Sequence, residues 1–327
     1  FPIPRVDLEQ LFQQIGSWQG RAESIKQLWQ SYSQSSHHDL ETEDNDMTIQ
    51  HERSPSARWL SIEESNLGNI DICLSSSPTD AGGILQMNLW KHCYSAILTS
   101  ATIRTLGSFN NFKKNVGLPS NSECKAVEGA FNCCNAGSLL GPDIGVDAGD
   151  STAHTAALIK KLPQLIDSNE GTLVLFSSRR QMDQVFDGLS GDFKKNILTQ
   201  GLFTHHEIVC RHKQAIDENN GSIIFGLASF AEGMDFPGDY CRHVIIAKIP
   251  FSVPDDPIYR TLSEWIEEQG GNPFMELMLP EASIRLHQAC GRLIRSEADT
   301  GRVTILDRRI LTKRYGEKLL ADLPPFS

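Results

Sequence analysis

Five short runs of this chain are apolar almost from end to end and rich in β-formers: YSAILTSA (94–101), TLVLFSS (172–178), SIIFGLAS (222–229), HVIIAKIPF (243–251) and RVTILD (302–307). A strand with one wet face alternates apolar and polar residues. A run that stays apolar suits a strand buried on both faces, as in a parallel sheet covered by helices. Segments with helical spacing lie between the runs, at about 151–167, 179–190, 204–219 and 281–296. This alternation predicts a doubly wound α/β domain over 94–327. Ligands of such folds sit at the carboxyl ends of the strands. There this chain places Ser100 and Thr102, Ser177 to Arg180, Ser229 to Asp235, and Asp307 to Arg309.

Residues 1–93 have a different texture. VDLEQLFQQIGSWQGRAESIKQLWQSY carries Leu8, Leu11, Phe12 and Ile15, then Ile25, Leu28, Trp29 and Tyr32, at helical spacing. Residues 33–57 are polar and irregular, 58–77 suit short strands, and Pro78-Thr79-Asp80 resembles a cap opening a helix over about 80–92. No internal repeat is evident.

At 327 residues the chain has room for two domains. Its net charge of −11 argues against a wholly basic coat protein but leaves a local basic groove open. Part of the acidity sits in HHDLETEDNDMTIQHE (37–52), which suits a solvated insertion. The eight cysteines show no C-x-x-C and no regular spacing, which fits a reduced, cytoplasmic setting. Cys210 and His212, with His205-His206 nearby, lack a second pair at zinc spacing, so no metal site is expected. No membrane span or signal peptide is expected, and a start at Phe1 suggests a fragment.

Four stretches carry candidate chemistry. In the segment 281–296, Arg285, Gln288, Arg292 and Arg295 fall at i, i+3, i+7 and i+10, one polar stripe. Ala282, Leu286, Ala289 and Leu293 form an apolar face to pack on the sheet. The guanidiniums match phosphoryl oxygens and could neutralise charge on a transferring phosphoryl group; a solvated face is the plain alternative. ASFAEGMDFPGD (228–239) sets Gly233 between Glu232 and Asp235 directly after a strand, or is an ordinary turn at Pro237-Gly238. FSSRRQM (176–182) runs from strand into helix, where hydroxyls and free N–H groups suit a phosphate, or where a serine caps the helix. LTSATI (98–103) repeats that design.

The order TSAT, FSSRR, SFAEGMD, QACGRLIR resembles motifs III to VI of superfamily 2 helicases. SFAEGMDFPGD, QACGRLIRS and RRILTKRYGEKLLADLPPF (308–326) look most like the DinG group of XPD-like iron–sulfur helicases, with the YoaA paralogues as the nearest alternative. The resemblance covers 94–327 and implies a RecA-like domain of the P-loop NTPase type, a parallel sheet flanked by helices. Residues 1–93 match in position only, as the end of a mainly helical arch domain and its connection to helicase domain 1. The likeness implies ATP-driven 5′→3′ movement on single-stranded DNA and unwinding of forks, D-loops and R-loops. Arg292 and Arg295 would reach the ATP γ-phosphate with Gln288 beside them. Glu232, Gly233, Asp235, Ser100 and Thr102 would couple nucleotide to DNA, and Ser177, Arg179 and Ser229 would touch the DNA backbone. ATP, Mg²⁺ and a 4Fe–4S cluster are the implied cofactors. An N-terminal P-loop domain of the same protein and single-strand binding protein are the implied partners.

The sequence also departs from that family. It contains no G-x-x-x-x-G-K-[ST] and no D-E-x-H box, and its cysteines do not match the cluster ligands. Two functions from different classes therefore stand: the C-terminal half of an ATP-dependent DNA helicase, inactive alone, or a RecA-like module that binds nucleic acid or protein without chemistry. Basic residues near the C-terminus (Arg308, Arg309, Lys313, Arg314, Lys318) and aromatics in 252–279 (Tyr259, Trp265, Phe274) could serve a single strand, though the aromatics more simply pack that segment.

Overall fold

The computed structural model describes residues 5–33, 54–64, 70–119, 121–127, 137–227, 235–252, 255–294 and 299–327. In chain order the principal elements begin with α1 (Arg5–Ser33), β1 (Ser56–Glu64), β2 (Ile70–Pro78), α2 (Gly82–Asn88), β3 (Gly137–Leu140), α3 (Ser151–Leu165), β4 (Gly171–Phe176) and α4 (Arg179–Gly188). There follow β5 (Ile197–Thr199), α5 (His205–Asp217), β6 (Ser222–Leu227), β7 (His243–Ile246), α6 (Pro257–Glu268), α7 (Leu279–Cys290), β8 (Gly301–Ile305) and α8 (Arg314–Asp322). They form two compact units.

The first unit comprises residues 1–93, 115–117 and 253–273. β1 and β2 form an antiparallel pair in which Trp59 faces Ser75. The Tyr32 hydroxyl, at the end of α1, lies 2.7 and 2.8 Å from the carbonyl oxygens of that same pair. One side chain thus ties the helix end to both strands. The Asp80 carboxylate accepts from the Gly82 N–H at 2.8 Å, a local turn just ahead of α2, whose N-cap is Ala81 and makes no side-chain cap. α6 packs against β1, so the segment carrying Tyr259 and Trp265 belongs to this unit.

The second unit is built on a six-stranded sheet in the order β3-β8-β7-β4-β6-β5, parallel throughout. β4 is buried along its whole length and β7 likewise, because they lie at the centre with helices on both faces. Leu173, Leu175, Val244, Ile246, Val303 and Ile305 face one cluster, packed under Ala282, Leu286 and Ala289 of α7. Val174, Phe176, Ile223, Phe225 and Ile245 face the other, under Leu158 and Leu162 of α3 and Met182 and Val185 of α4. The alternation within each run is therefore between two apolar layers, which is why polar residues hardly interrupt it.

Two sequence expectations need correction. The run 94–101 forms no strand. Tyr94 and Ile97 are almost fully exposed, and no described strand pairs with them. Its residues have β propensity, but an extended run becomes a strand only through hydrogen bonds to a neighbour, and the described residues supply none. Helix α7 stops at Cys290 rather than continuing to 296. Arg292 N–H bonds to Ala289 O and Leu293 N–H to Cys290 O, so the chain tightens into i→i−3 turns once it reaches Gly291, a poor helix former.

Three histidines are buried in the second unit. His154 donates from Nε2 to Leu306 O at 2.8 Å and accepts at Nδ1 from Gln181 at 3.0 Å. His212 donates from Nε2 to Tyr240 O at 2.7 Å, leaving Nδ1 to accept from the Ser222 hydroxyl at 2.9 Å. His243 meets the Thr304 hydroxyl at 2.8 Å. Burial pushes all three below the ordinary histidine value. The unfolded chain then binds more protons than the folded one as pH falls below about 6.5, and stability drops with it. Melting temperature should fall steadily between about pH 7.5 and pH 5. A melting temperature that held or rose over that range would contradict the neutral assignment of these rings.

Candidate nucleotide and nucleic-acid interface

All six strands point the same way, so their carboxyl ends share one edge of the sheet. The chain order reverses around β4, with β5 and β6 on one side and β7 and β8 on the other. Open α/β sheets form their ligand crevice at such a point. β4 delivers Ser177 there, half-buried, followed by exposed Ser178, Arg179 and Arg180. Ser178 occupies the N-cap of α4 with extended backbone, yet its side chain makes no capping bond. The plain capping role therefore does not account for this serine, and the first-turn N–H groups of α4 receive no bond from it. Arg179 donates to Gln200 O at 3.1 Å, just past β5, and the Gln200 side chain in turn accepts from Leu227 N–H at the end of β6. Gly201 allows this approach. It has φ +100°, and a Cβ there would stand 2.5 Å from the Arg179 guanidinium.

On the other side of the switch, β8 leads into Asp307, which is fully buried. Its carboxylate accepts from Ile249 N–H (3.0 Å), Arg309 N–H (3.0 Å), Arg309 Nε (2.9 Å) and Arg309 Nη2 (2.7 Å). Burial alone would raise the carboxyl, but the bonds and charge of Arg309 and the two backbone N–H groups hold it below the usual aspartate range. Arg309 also lies 5.3 Å from the Phe251 ring centroid. Phe251, Phe274 and Tyr315 form a three-ring cluster with centroids 5.0 to 5.9 Å apart. Phe274 thus packs within the domain rather than offering a free stacking face, and Arg309 braces a loop rather than adding free basic density. This network and Lys248 on the loop after β7 carry no sequence motif.

The polar stripe of α7 is only partly a stripe. Arg285 pairs with Glu281 at 2.5 Å and donates to Pro250 O at 3.3 Å, a bracing role. Gln288 is half-buried and its side chain makes no hydrogen bond with any described residue. Arg292 lies two residues beyond the helix end, half-buried and engaged by a neighbour. A cation just past a helix C-terminus is favoured by the helix dipole. Ser100 and Thr102 lie in irregular chain with their hydroxyls 3.3 Å apart. Asp235 is exposed and engaged, and no described hydrogen bond joins Gln288 to Ser177 or Arg179. Arg295, Glu232, Gly233 and Ser229 lie outside the described residues.

The six described cysteines are free thiols. Cys241 and Cys290 are buried, and burial pushes the Cys290 thiol up to about 12, so it stays protonated. No group of three or more His, Cys, Asp and Glu among the described residues is placed to hold a metal ion. These cysteines do not fit an iron–sulfur cluster. No described helix is long and apolar enough to cross a membrane.

The parallel, helix-covered sheet gathers its polar residues at one edge, the place where such folds hold ligands, and comparison with known proteins shows the family. The helicase C-terminal domain profile matches residues 162–326, and the chain belongs to that family. It is 38% identical to the ATP-dependent DNA helicase DinG of Photobacterium profundum, over 97% of this chain and 44% of the relative. It is 32% identical to the ATP-dependent DNA helicase DinG of Escherichia coli strain K12, over 98% of this chain and 43% of the relative. The chain thus spans less than half the length of these relatives. Two solved XPD helicase structures share the fold, each with a TM-score of 0.56 over 77% of this chain, at 20% and 22% identity and covering 46% and 52% of their own chains.

Proposed function

We propose that this chain is the C-terminal half of an ATP-dependent DNA helicase of the DinG type, working with a P-loop domain of the same protein. The observation that carries the reading is the match to the DinG helicases along 97% of the chain, joined to a sequence with no phosphate-binding P-loop of its own. On this reading residues 94–327 are the second RecA-like domain, and 1–93 contribute the end of the arch.

Arg292 and Arg295 would form the arginine side of a nucleotide site, and the sequence has no P-loop to form the other side. ATP bound between the two domains would supply the phosphoryl group whose transfer drives movement, with Mg²⁺ held by the other domain. Arg292 and Arg295 would neutralise charge that builds on that group, with Gln288 beside them. Glu232, Gly233, Asp235, Ser100 and Thr102 would relay nucleotide state. Ser177, Arg179 and Ser229 would grip the sugar–phosphate backbone of single-stranded DNA. Any 4Fe–4S cluster would be held by cysteines outside this chain. The proposed setting is the cytoplasm, with 5′→3′ movement, forks, D-loops and R-loops as substrates and single-strand binding protein as a further partner.

Unwinding by the full-length protein of duplexes with a 5′ or a 3′ single-stranded tail tests this. ATP-dependent unwinding of the 5′-tailed duplex is expected. Preference for the 3′ tail would overturn the direction. Tight DNA binding with no ATP turnover at all would leave a binding module.

A further inference from the structure

The carboxyl edge of the sheet holds a half-buried charged group that none of the roles above uses. Lys248 follows β7, the strand beside β4 at the switch point. Leu175 pairs with Ile246, and Ala247 N–H continues the ladder to Leu175 O at 2.9 Å. Carried two residues past the last pair, that register would bring Lys248 level with Ser177. On the other side Ile246 pairs with Ile305, which sets Lys248 beside Asp307. Lys248 thus lies at the same end of the sheet as Ser177 and Asp307, and the charge of Asp307 acts on it.

That carboxylate attracts Lys248 by charge, but no hydrogen bond joins the two. The two oxygens of Asp307 already accept four N–H bonds, which fills their acceptor sites. Asp147, the other carboxylate that acts on Lys248, accepts from Gly149 N–H at 2.7 Å. Lys248 itself forms no ion pair or hydrogen bond with any described residue. It is nevertheless half-buried; burial and then the charge of Arg309 disfavour its ammonium, while the carboxylates of Asp307 and Asp147 favour it less strongly. The Ser177 hydroxyl likewise bonds to no described residue, and the N-terminus of α4 beside it lacks its side-chain cap. An ammonium and a hydroxyl that make no hydrogen bond with a described residue, and a helix N-terminus without its side-chain cap, therefore lie at one end of the sheet, donors that suit an anionic acceptor.

We propose that Lys248 is a phosphate contact in the nucleic-acid groove, acting with Ser177 on one backbone phosphate of a single strand. This rests on the reading of the edge as a nucleic-acid interface. A neutralised phosphate releases condensed counterions, so each contact adds to the salt dependence of binding.

The test is the anisotropy of a fluorescent oligo-dT titrated with the full-length protein over a series of salt concentrations. It compares wild type, Lys248→Met, Lys248→Arg and Arg179→Ala, with melting temperatures measured alongside and a fluorescent ATP analogue as a second ligand. Lys248→Met should reduce the slope of log K against log salt by about 0.7, and Lys248→Arg should restore it. An unchanged slope in Lys248→Met beside a reduced one in Arg179→Ala overturns the role of Lys248 and leaves the interface standing. Weaker binding of the ATP analogue with an unchanged DNA slope overturns it in favour of a nucleotide phosphate. Absence of salt-dependent binding by the wild type overturns the interface and the role of Lys248 together.

Discussion

Replacing Arg295 with alanine in the full-length protein is expected to lower single-strand-stimulated ATP hydrolysis by about 10³-fold or more, with ATP affinity largely retained. An arginine that meets charge only as it builds on a transferring phosphoryl group lowers the barrier without tightening the ground state. Its loss therefore appears in turnover rather than in binding. Arg292→Ala should act in the same direction. Arg285→Ala should not, because Arg285 is engaged by Glu281 and Pro250 and braces its own helix. Steady-state turnover and equilibrium ATP binding, measured on the three variants together, check this. Equal effects at Arg285 and Arg295 would make the stripe a structural feature.

The second large effect is expected at Asp307. Removing this carboxylate leaves the Arg309 guanidinium, with only 16% of its side chain exposed, without its charge partner. Breaking a buried pair from one side typically costs about 3–5 kcal/mol. Asp307→Ala should lower unfolding stability by that order in urea, and the loss of its bonds to Ile249 and Arg309 N–H should loosen both loops at the sheet edge. The pH dependence has a definite sign. The folded carboxyl titrates below its unfolded value, so the stabilisation is present above about pH 4 and disappears as pH falls through the depressed folded value. Wild type should lose stability in that acid range, and Asp307→Ala should lose less. Replacing both partners with apolar residues of similar volume should recover much of the loss, since the pair is costly chiefly when half of it remains.

The central strands are legible in the sequence because burial on both faces writes itself as uninterrupted Val, Ile, Leu and Phe, as in LVLF and IIF. The edge strands β3 and β5 are not. GSLL and ILT are too short to carry a period, and their pairing is decided by β8 and β6. The run 94–101 misleads for the converse reason: propensity is local, whereas a strand needs a neighbour. On α7 the apolar face Ala282, Leu286 and Ala289 is readable, but the polar stripe outruns the helix, because spacing alone does not show that the turn tightens at Gly291. Among the candidate site residues, Ser177, Arg179 and Gln288 are marked by motif. Lys248 and the network around Asp307 are not, since what distinguishes them is a partner, or the lack of one, across strands more than 50 residues apart in sequence. The three buried histidines are silent for the same reason.

The most direct test of the central claim is steady-state ATP hydrolysis by this 327-residue chain alone, with and without single-stranded DNA, against the full-length protein. A second RecA-like half without a P-loop should show no turnover above background alone, and DNA-stimulated turnover only within the full-length protein. Sustained hydrolysis by the chain alone would contradict the account.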